Sequence, residues 1–593
     1  MAARQRGSLA TQAIKSAPPD GANTLRSRCR GGPPGGTTFV SAIQLQVAFA
    51  GHNREPDLGD LAELRMRVAE GFAMLTGAGL APARLLTGLA HGADRVAVQA
   101  WNEAGLGQVH AVFPFLPTAS ARTDPADLSA TWLDGARTED GGRSAHLAQS
   151  RWILAQADLL VVVWSGERAR GAGGTADTVR LAITAGLPVI WITPGSVEIR
   201  LVRATPEALQ EFDFAEWLDG LRDGHPAMIE PATAEGLRAI FARTGAQPLT
   251  FKGESRLARW LHLWLWRTYP LFQRVTGGRA APPPPQEEIP PDLADQPGFK
   301  TLTAAYQASD LRATRLSAVH RSEQILLLGA AVFAAAVGSA PSVWPMMKLP
   351  IVLLELGLAL AAFAVWWTAA HARRHERWTD ERRLAEQIRL ERAAWALGLS
   401  TRGAGSPATR DEHQRLGRPI LRQASPPAGV MDAERMGRWT VWATREVIGG
   451  QIAYHRQQAA RNGRIAHRIG LAENAAFGLL VLALAGFALA DVIAHRTGTA
   501  LPTWFGGLVL MASVVMPAVG AAALALEAKL EFGEQAERSH AVATRLQKIL
   551  HRLTATQDID AARGAIGSAF GWVLTEADQW REGAGRRRLF RGG

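Results

Sequence analysis

Glycine, histidine, arginine, threonine and aspartate gather in three short stretches of this chain, each placed where an apolar run gives way to a helical pattern. Val47 to Ala50 leads into Gly51-His52-Asn53-Arg54, and a helix pattern begins at Leu58. Leu85 and Leu86 lead into Thr87-Gly88-Leu89-Ala90-His91-Gly92-Ala93-Asp94, with a helix over Val96 to Trp101. Leu159 to Trp164 leads into Gly171, Gly173, Gly174, Thr175, Asp177 and Thr178. Tight turns need glycine for backbone reasons alone, so one such loop says little. Its chemistry is nevertheless defined: glycines before a helix leave bare N–H groups at the helix N-terminus, where a phosphate is held. His91 beside Asp94 is a candidate acid–base pair, though ligand contacts or helix caps explain these two equally well, and Glu167 or Asp177 near the third loop could serve a hydrolase. His371, His375 and Glu376 spell no HExxH and lack a third ligand, so a solvated basic face explains them better than a metal site.

The elements that position these residues follow from the apolar pattern. Short β-branched runs such as Leu159 to Trp164 and Val189 to Ile192 fit strands buried on both faces of a parallel sheet. Between them Val179, Ile183 and Gly186 recur at helical spacing, giving a strand–loop–helix–strand unit. Three strand ends with glycine loops would meet along one carboxyl edge of an open α/β sheet, where such sheets bind ligands.

The second half changes character. Ile325 to Trp344, Leu349 to Ala370, Ala475 to Ala494 and Thr503 to Leu526 are apolar runs of about the 20 residues that span a bilayer. They form two hairpins with short turns, Pro345 to Lys348 and His495 to Pro502. Basic residues flank the outer ends: Arg312, Arg315 and Arg321, then Arg373, Arg374 and Arg377, then Arg461, Arg464 and Arg468, then Lys529, Arg538 and Arg545. The turns hold only Lys348 and Arg496, so the positive-inside rule predicts both termini, the α/β domain and the Leu390 to Trp439 region in the cytoplasm. Each run is expected to continue into a polar helix there, as in Trp378 to Trp395 and Trp439 to His455. Glu355 and Asp491 are the carboxylates well inside the runs; they either snorkel or pair, or form acidic rings in a cation-selecting pore.

The expected order is a disordered basic tail (1–38), an α/β domain carrying the three glycine loops (39–200), a helical connector (201–275), a proline-rich linker (276–298) and a first hairpin with its helices (299–400). A cytosolic loop (401–435), a second hairpin (436–555) and a tail (556–593) complete it. In the connector, Arg259 to Trp266 with its three tryptophans suits either a membrane interface or a helix packed on the sheet. The net charge of +11 is explained by the positions flanking the apolar runs, which argues against nucleic acid as partner. The single cysteine, Cys29, excludes an internal disulfide.

The GHNR, TGLAHGADR and GAGGTADTV segments resemble, in order and spacing, the SLOG domains of bacterial nucleotide-sensing systems, relatives of the cytokinin-activating LOG proteins. The resemblance covers about Val40 to Arg200 and implies a Rossmann-like open parallel sheet. Its pocket for a nucleotide or nucleotide derivative would be lined by Gly51, His52, Arg54, Thr87, Gly88, Ala90, Gly92, Ala93, Asp94, Gly173, Gly174, Thr175 and Thr178. The LOG signature PGGxGTxxE is not met, and Ser165 stands where an aspartate often follows the tryptophan, which favours sensing over turnover. RRLAEQIRLERAAWALG, GGQIAYHRQQAARN and FGEQAERSHAVATRLQKIL are similar to SLATT domains, membrane effectors that accompany SLOG sensors, over most of Phe299 to Leu553. That resemblance implies an all-α membrane domain of two transmembrane hairpins, homo-oligomerisation and membrane perturbation, a pore being one form, in a bacterial inner membrane during conflict with phage. No cofactor beyond the nucleotide-type ligand is expected. Two other readings stand beside this one, a membrane-tethered nucleotide hydrolase and a structural anchor with no switch.

Overall fold

The computed structural model describes residues 43–117, 129–135, 142–168, 173–203, 213–222, 229–242, 267–278, 288–372, 374–402, 410–554 and 563–573. The expectations for the basic tail, Gly171, Arg259 to Trp266, Pro282 to Pro285 and the end of the chain fall outside these residues.

Among the described residues nine strands form one sheet: β1 (Ile43–Gly51), β2 (Leu80–Thr87), β3 (Gln108–Phe113), β4 (Ser129–Leu133), β5 (Leu159–Val163), β6 (Val189–Ile192), β7 (Ile199–Val202), β8 (Ile229–Pro231) and β9 (Gly429–Met431). Their order is β8-β7-β6-β5-β1-β2-β3-β4-β9. β6 through β9 in that order are parallel, whereas β7 alone is reversed and pairs antiparallel with both β6 and β8. The sheet is therefore mixed, not all-parallel as the sequence suggested. The reason is local: only Thr193 to Glu198 lie between β6 and β7, too short a link for the crossover that parallel strands need.

Burial follows from the residues. Every residue of β5, Leu-Leu-Val-Val-Val, is buried, as expected of a central strand covered on both faces. In β1, Leu45, Val47 and Phe49 face α1 (Leu61–Gly77) and α2 (Ala93–Glu103), packing with Val68, Phe72 and Trp101. Ala48 faces the other side with Leu160 and Val162, covered by α3 (Arg143–Gln156) and α4 (Thr175–Thr184). That second core continues into the helical half, taking in Phe299, Leu390, Trp395 and Trp439.

Two stretches differ from their sequence reading. The connector supplies β8 with α5 (Phe214–Arg222) and α6 (Ala234–Ala242) as well as helix Thr268–Gly277. The stretch read as a cytosolic loop contains helix Arg410–Gln423 and β9, which pairs with β4 at the sheet edge. Gln46 holds that helix end, its Nε2 donating to the carbonyls of Leu421 (3.1 Å) and Ala424 (3.1 Å).

Among the described residues the helical half contains four helices long and apolar enough to cross a membrane. The first, Pro297–Ser339, runs 43 residues from the sheet into the first apolar run; the second is Lys348–Ala372. The third, Gly450–Thr497, runs 48 residues, and the fourth is Thr503–Leu530. The first packs on the second and fourth, and the fourth on the third. Their apolar surfaces stay uncovered: Leu353, Phe363, Trp366, Leu482, Leu489 and Leu510 are all exposed, which is the surface a lipid phase would cover. Polar helices Arg374–Leu397, Ala433–Thr444 and Phe532–Thr554 adjoin these runs, as expected.

Candidate functional site

The strand order brings the three loops together. Reading outward, the chain lays β1, β2, β3 and β4 to one side and then returns to place β5 and β6 on the other, so β5, β1 and β2 are neighbours. The direction of winding reverses between β1 and β5, the position where open α/β sheets form a crevice at their strand ends.

Backbone contacts tie the loops to one another. The carbonyl of His52 accepts from Ala93 N at 3.1 Å, joining the first loop to the start of α2. His52 Nε2 accepts from Ser165 N at 3.0 Å, joining it to the loop after β5. A side chain at Gly51 would bring its Cβ to 2.4 Å from that of Ala93, so glycine here permits the close approach of β1 and α2. Gly173 has φ of +83°, and a Cβ there would stand 2.7 Å from the Arg143 carbonyl; both facts require glycine. Gly174, at φ −77° and ψ 176°, is extended backbone open to any residue. It precedes α4 with no side-chain cap, and Gly92 precedes α2 in the same way.

Asp94 is the organising side chain of the second loop. Its Oδ2 accepts from Thr87 Oγ1 (2.9 Å) and Ala90 N (3.2 Å), and Leu89 N donates back to Thr87 Oγ1 (3.2 Å). Burial pushes the Asp94 carboxyl up to about 6, against the downward pull of the hydrogen bonds from Thr87, Ala90 and Gly88. Asp177 accepts from Gly173 N at 2.9 Å and pairs with Arg180 at 3.3 Å.

Of the residues expected at the site, Gly51, His52, Gly88, Gly92, Gly173, Gly174 and Thr175 are half-buried, and Arg54 and Ala90 are exposed. Thr87, Ala93 and Asp94 are buried beneath the loop. Thr178 is buried with its hydroxyl 2.9 Å from Ser150 Oγ, where it joins α4 to α3. In the apolar helices, Glu355 is half-buried with its carboxylate against Gly338 of the first helix, and Asp491 is exposed. Among the described residues no cluster of histidine, cysteine and carboxylates could hold a metal ion.

Sequence reasoning missed the opposite end of the strands. Asp158, immediately before β5, accepts from Gln46 N (2.9 Å) and is met by Arg418 (2.9 Å), Arg422 (3.1 Å) and Arg402 (3.8 Å). Burial alone would raise its carboxyl, yet these guanidiniums and the Gln46 N–H hold it down at about 2. All three arginines come from beyond the first apolar hairpin. On the sheet's β9 side, Gln296 Nε2 donates to the Ala428 carbonyl (3.1 Å), Trp395 Nε1 to that of Ser425 (3.0 Å) and Trp439 Nε1 to Asp292 (3.1 Å). Thus the roots of the apolar helices are bonded to the segment that carries the edge strand. Farther out, Ser342 Oγ donates to the Gly507 carbonyl (3.1 Å), so the two hairpin turns lie at one end of the helical half.

No protein family, curated protein or solved structure matches the chain.

Proposed function

We propose that this protein is a membrane-embedded sensor and effector, in which a SLOG-like sheet binds a nucleotide or nucleotide-derived signal and controls a SLATT-like membrane region. The observation that carries the reading is the edge strand β9: a segment lying between the two apolar hairpins completes the sheet whose loops would hold the ligand. Helix N-termini whose N-cap residues, Gly92 and Gly174, make no side-chain cap suit a phosphate, and the winding reversal suits a crevice. Ligand contacts that differ between two arrangements of the loops would shift the packing of the helix roots and so the assembly of the membrane helices. Charge flanking the runs supports cytoplasmic termini and a cytoplasmic sensor in a bacterial inner membrane, and a homo-oligomer would bring copies of Glu355 and Asp491 into rings. A hydrolase reading has one observation in its favour, the Asp94 carboxyl that titrates at about 6, close to where a general acid or base works.

The test uses the full-length protein in lipid nanodiscs with a panel of nucleotides, calorimetry reporting binding and chromatography the fate of the ligand. Gly174→Val fits the extended backbone, so the fold should survive while affinity drops at least about tenfold. A sensor returns its ligand intact. Unchanged affinity in Gly174→Val removes this loop from the site, and accumulating product converts the sensor into an enzyme.

A further inference from the structure

Where the polar ends of the long helices converge, they enclose a cavity of about 1210 Å³ lined by all three tyrosines of the chain, Tyr269, Tyr306 and Tyr454. Its lining reaches close to the apolar runs: Arg321 stands four residues before Ile325, where the first run begins. Here Tyr269, Arg321, Arg461, Asn462 and Gln535 come together.

The cavity lining also carries Glu288, Asp310, Glu386 and Glu446, of which Asp310 and Glu386 pair with Arg382, but at the Tyr269 corner the arginines meet no carboxylate among the described residues. Arg321 donates to Tyr269 Oη and, at 3.5 Å, to Gln535 Oε1, and its guanidinium lies 5.0 Å from the Tyr269 ring and 5.3 Å from that of Trp378. All these partners are neutral. Arg461 Nε is buried with no hydrogen-bond partner, and burial lowers the pKa of this guanidinium. Farther along the same helix Arg464 donates to the Gly277 carbonyl (3.0 Å) and Arg468 to that of Val275 (2.7 Å). None of these four arginines has a carboxylate partner among the described residues. Asn462 is only 3% exposed, and its Oδ1 likewise has no donor. Arg321 and Arg461 are half-buried and Arg464 and Arg468 exposed; with Arg461 Nε itself shielded from water and unpaired, an anion in this corner would supply the missing acceptor.

We propose that this corner is a phosphate site, in which Arg321 and Arg461 clamp the phosphate of an anionic ligand and Asn462 Oδ1 accepts a hydrogen bond from the ligand's hydroxyl. The planar fork of arginine matches phosphate oxygens two at a time. Two sources share this chemistry: the headgroup of an anionic phospholipid, for which basic pockets beside membrane helices are suited, and a soluble phosphate ester. The site is separate from the glycine loops and does not depend on what they bind.

The experiment measures the melting midpoint of the full-length protein in detergent with phosphatidylglycerol, with phosphatidylcholine or with AMP. It compares the natural chain with Arg461→Gln, Arg461→Lys and the exposed Arg456→Gln. The site predicts a rise of about 4 °C or more with one phosphate source. It also predicts about tenfold weaker binding in Arg461→Gln, partial retention in Arg461→Lys and no change in Arg456→Gln. A rise with phosphatidylglycerol that phosphatidylcholine does not produce assigns the headgroup, and a rise with AMP assigns the soluble ester. Equal rises with both lipids and none with AMP, or rises that survive in Arg461→Gln, overturn the proposal.

Discussion

The two ends of the parallel strands are finished in opposite ways. At the amino end Asp158 is buried under Arg418, Arg422 and Arg402, and Gln46 fastens the helix that supplies two of them. At the carboxyl end the loops are half-exposed, and helices α2 and α4 start without side-chain caps. Dense buried contacts make one end stiff, while sparse, solvent-facing ones leave the other able to rearrange. The difference teaches that the sheet is anchored to the helical half at its amino end, and kept adaptable where the glycine loops meet.

Breaking the anchored end should have the largest effect. Asp158→Ala leaves three guanidiniums buried around a vacancy and should destabilise the protein by about 3–5 kcal/mol in denaturant unfolding. Because the Asp158 carboxyl is held below its ordinary 3.8, at about 2, its contribution is complete above pH 3.8 and is lost as pH falls through about 2. Melting curves between pH 2 and pH 5 should therefore show a dependence in the natural chain that the variant lacks.

At the adaptable end the sign reverses. Asp94 is raised from 3.8 to about 6, so the fold favours its neutral form, and that stabilisation is full below pH 3.8 and lost as pH rises through about 6. Asp94→Asn keeps the acceptor for Thr87 and Ala90 while removing the charge, and should stabilise the protein by on the order of 2 kcal/mol at pH 8. At pH 3.5 the two melting midpoints should coincide. A stabilisation independent of pH would show that the carboxyl ionises without cost.

The smallest effect sharpens the comparison by separating the ends. Gln46→Leu removes the donor to the Leu421 and Ala424 carbonyls at a cost of about 1–3 kcal/mol. Hydrogen exchange should speed up across Arg410–Gln423 and stay unchanged over Thr87 to Asp94. Equal acceleration in both places would mean that the two ends open as one unit.

The carboxyl end was legible in the sequence because each loop is a contiguous string flanked by apolar runs, and the apolar helices because their runs are long. The amino end was hidden for physical reasons. Asp158 looks like a strand-start acid, and Arg402, Arg418 and Arg422 look like solvated charge until the fold brings them within 4 Å of it. Helix Arg410–Gln423 carries an internal Pro419 and adjoins Gly, Pro and Ser residues that read as loop. β9 has three residues, too few for any alternation to be seen, and is specified by its partner β4. The cavity corner is equally invisible, since Tyr269, Arg321, Arg461 and Gln535 lie on four different helices.

The late position of β9 also sets a clock on synthesis. About 300 residues separate Leu133 at the end of β4 from its partner Met431, so at about 5–20 residues per second the ribosome needs roughly 15–60 s to supply the missing edge. During that interval the nascent sheet has an unpaired flank at β4, and Asp158 waits for its arginines until the first pair of apolar helices has emerged. Completion of the α/β half is thereby made conditional on production of the first hairpin, and a chain truncated before Arg410 should be recognisable to quality control by its open sheet.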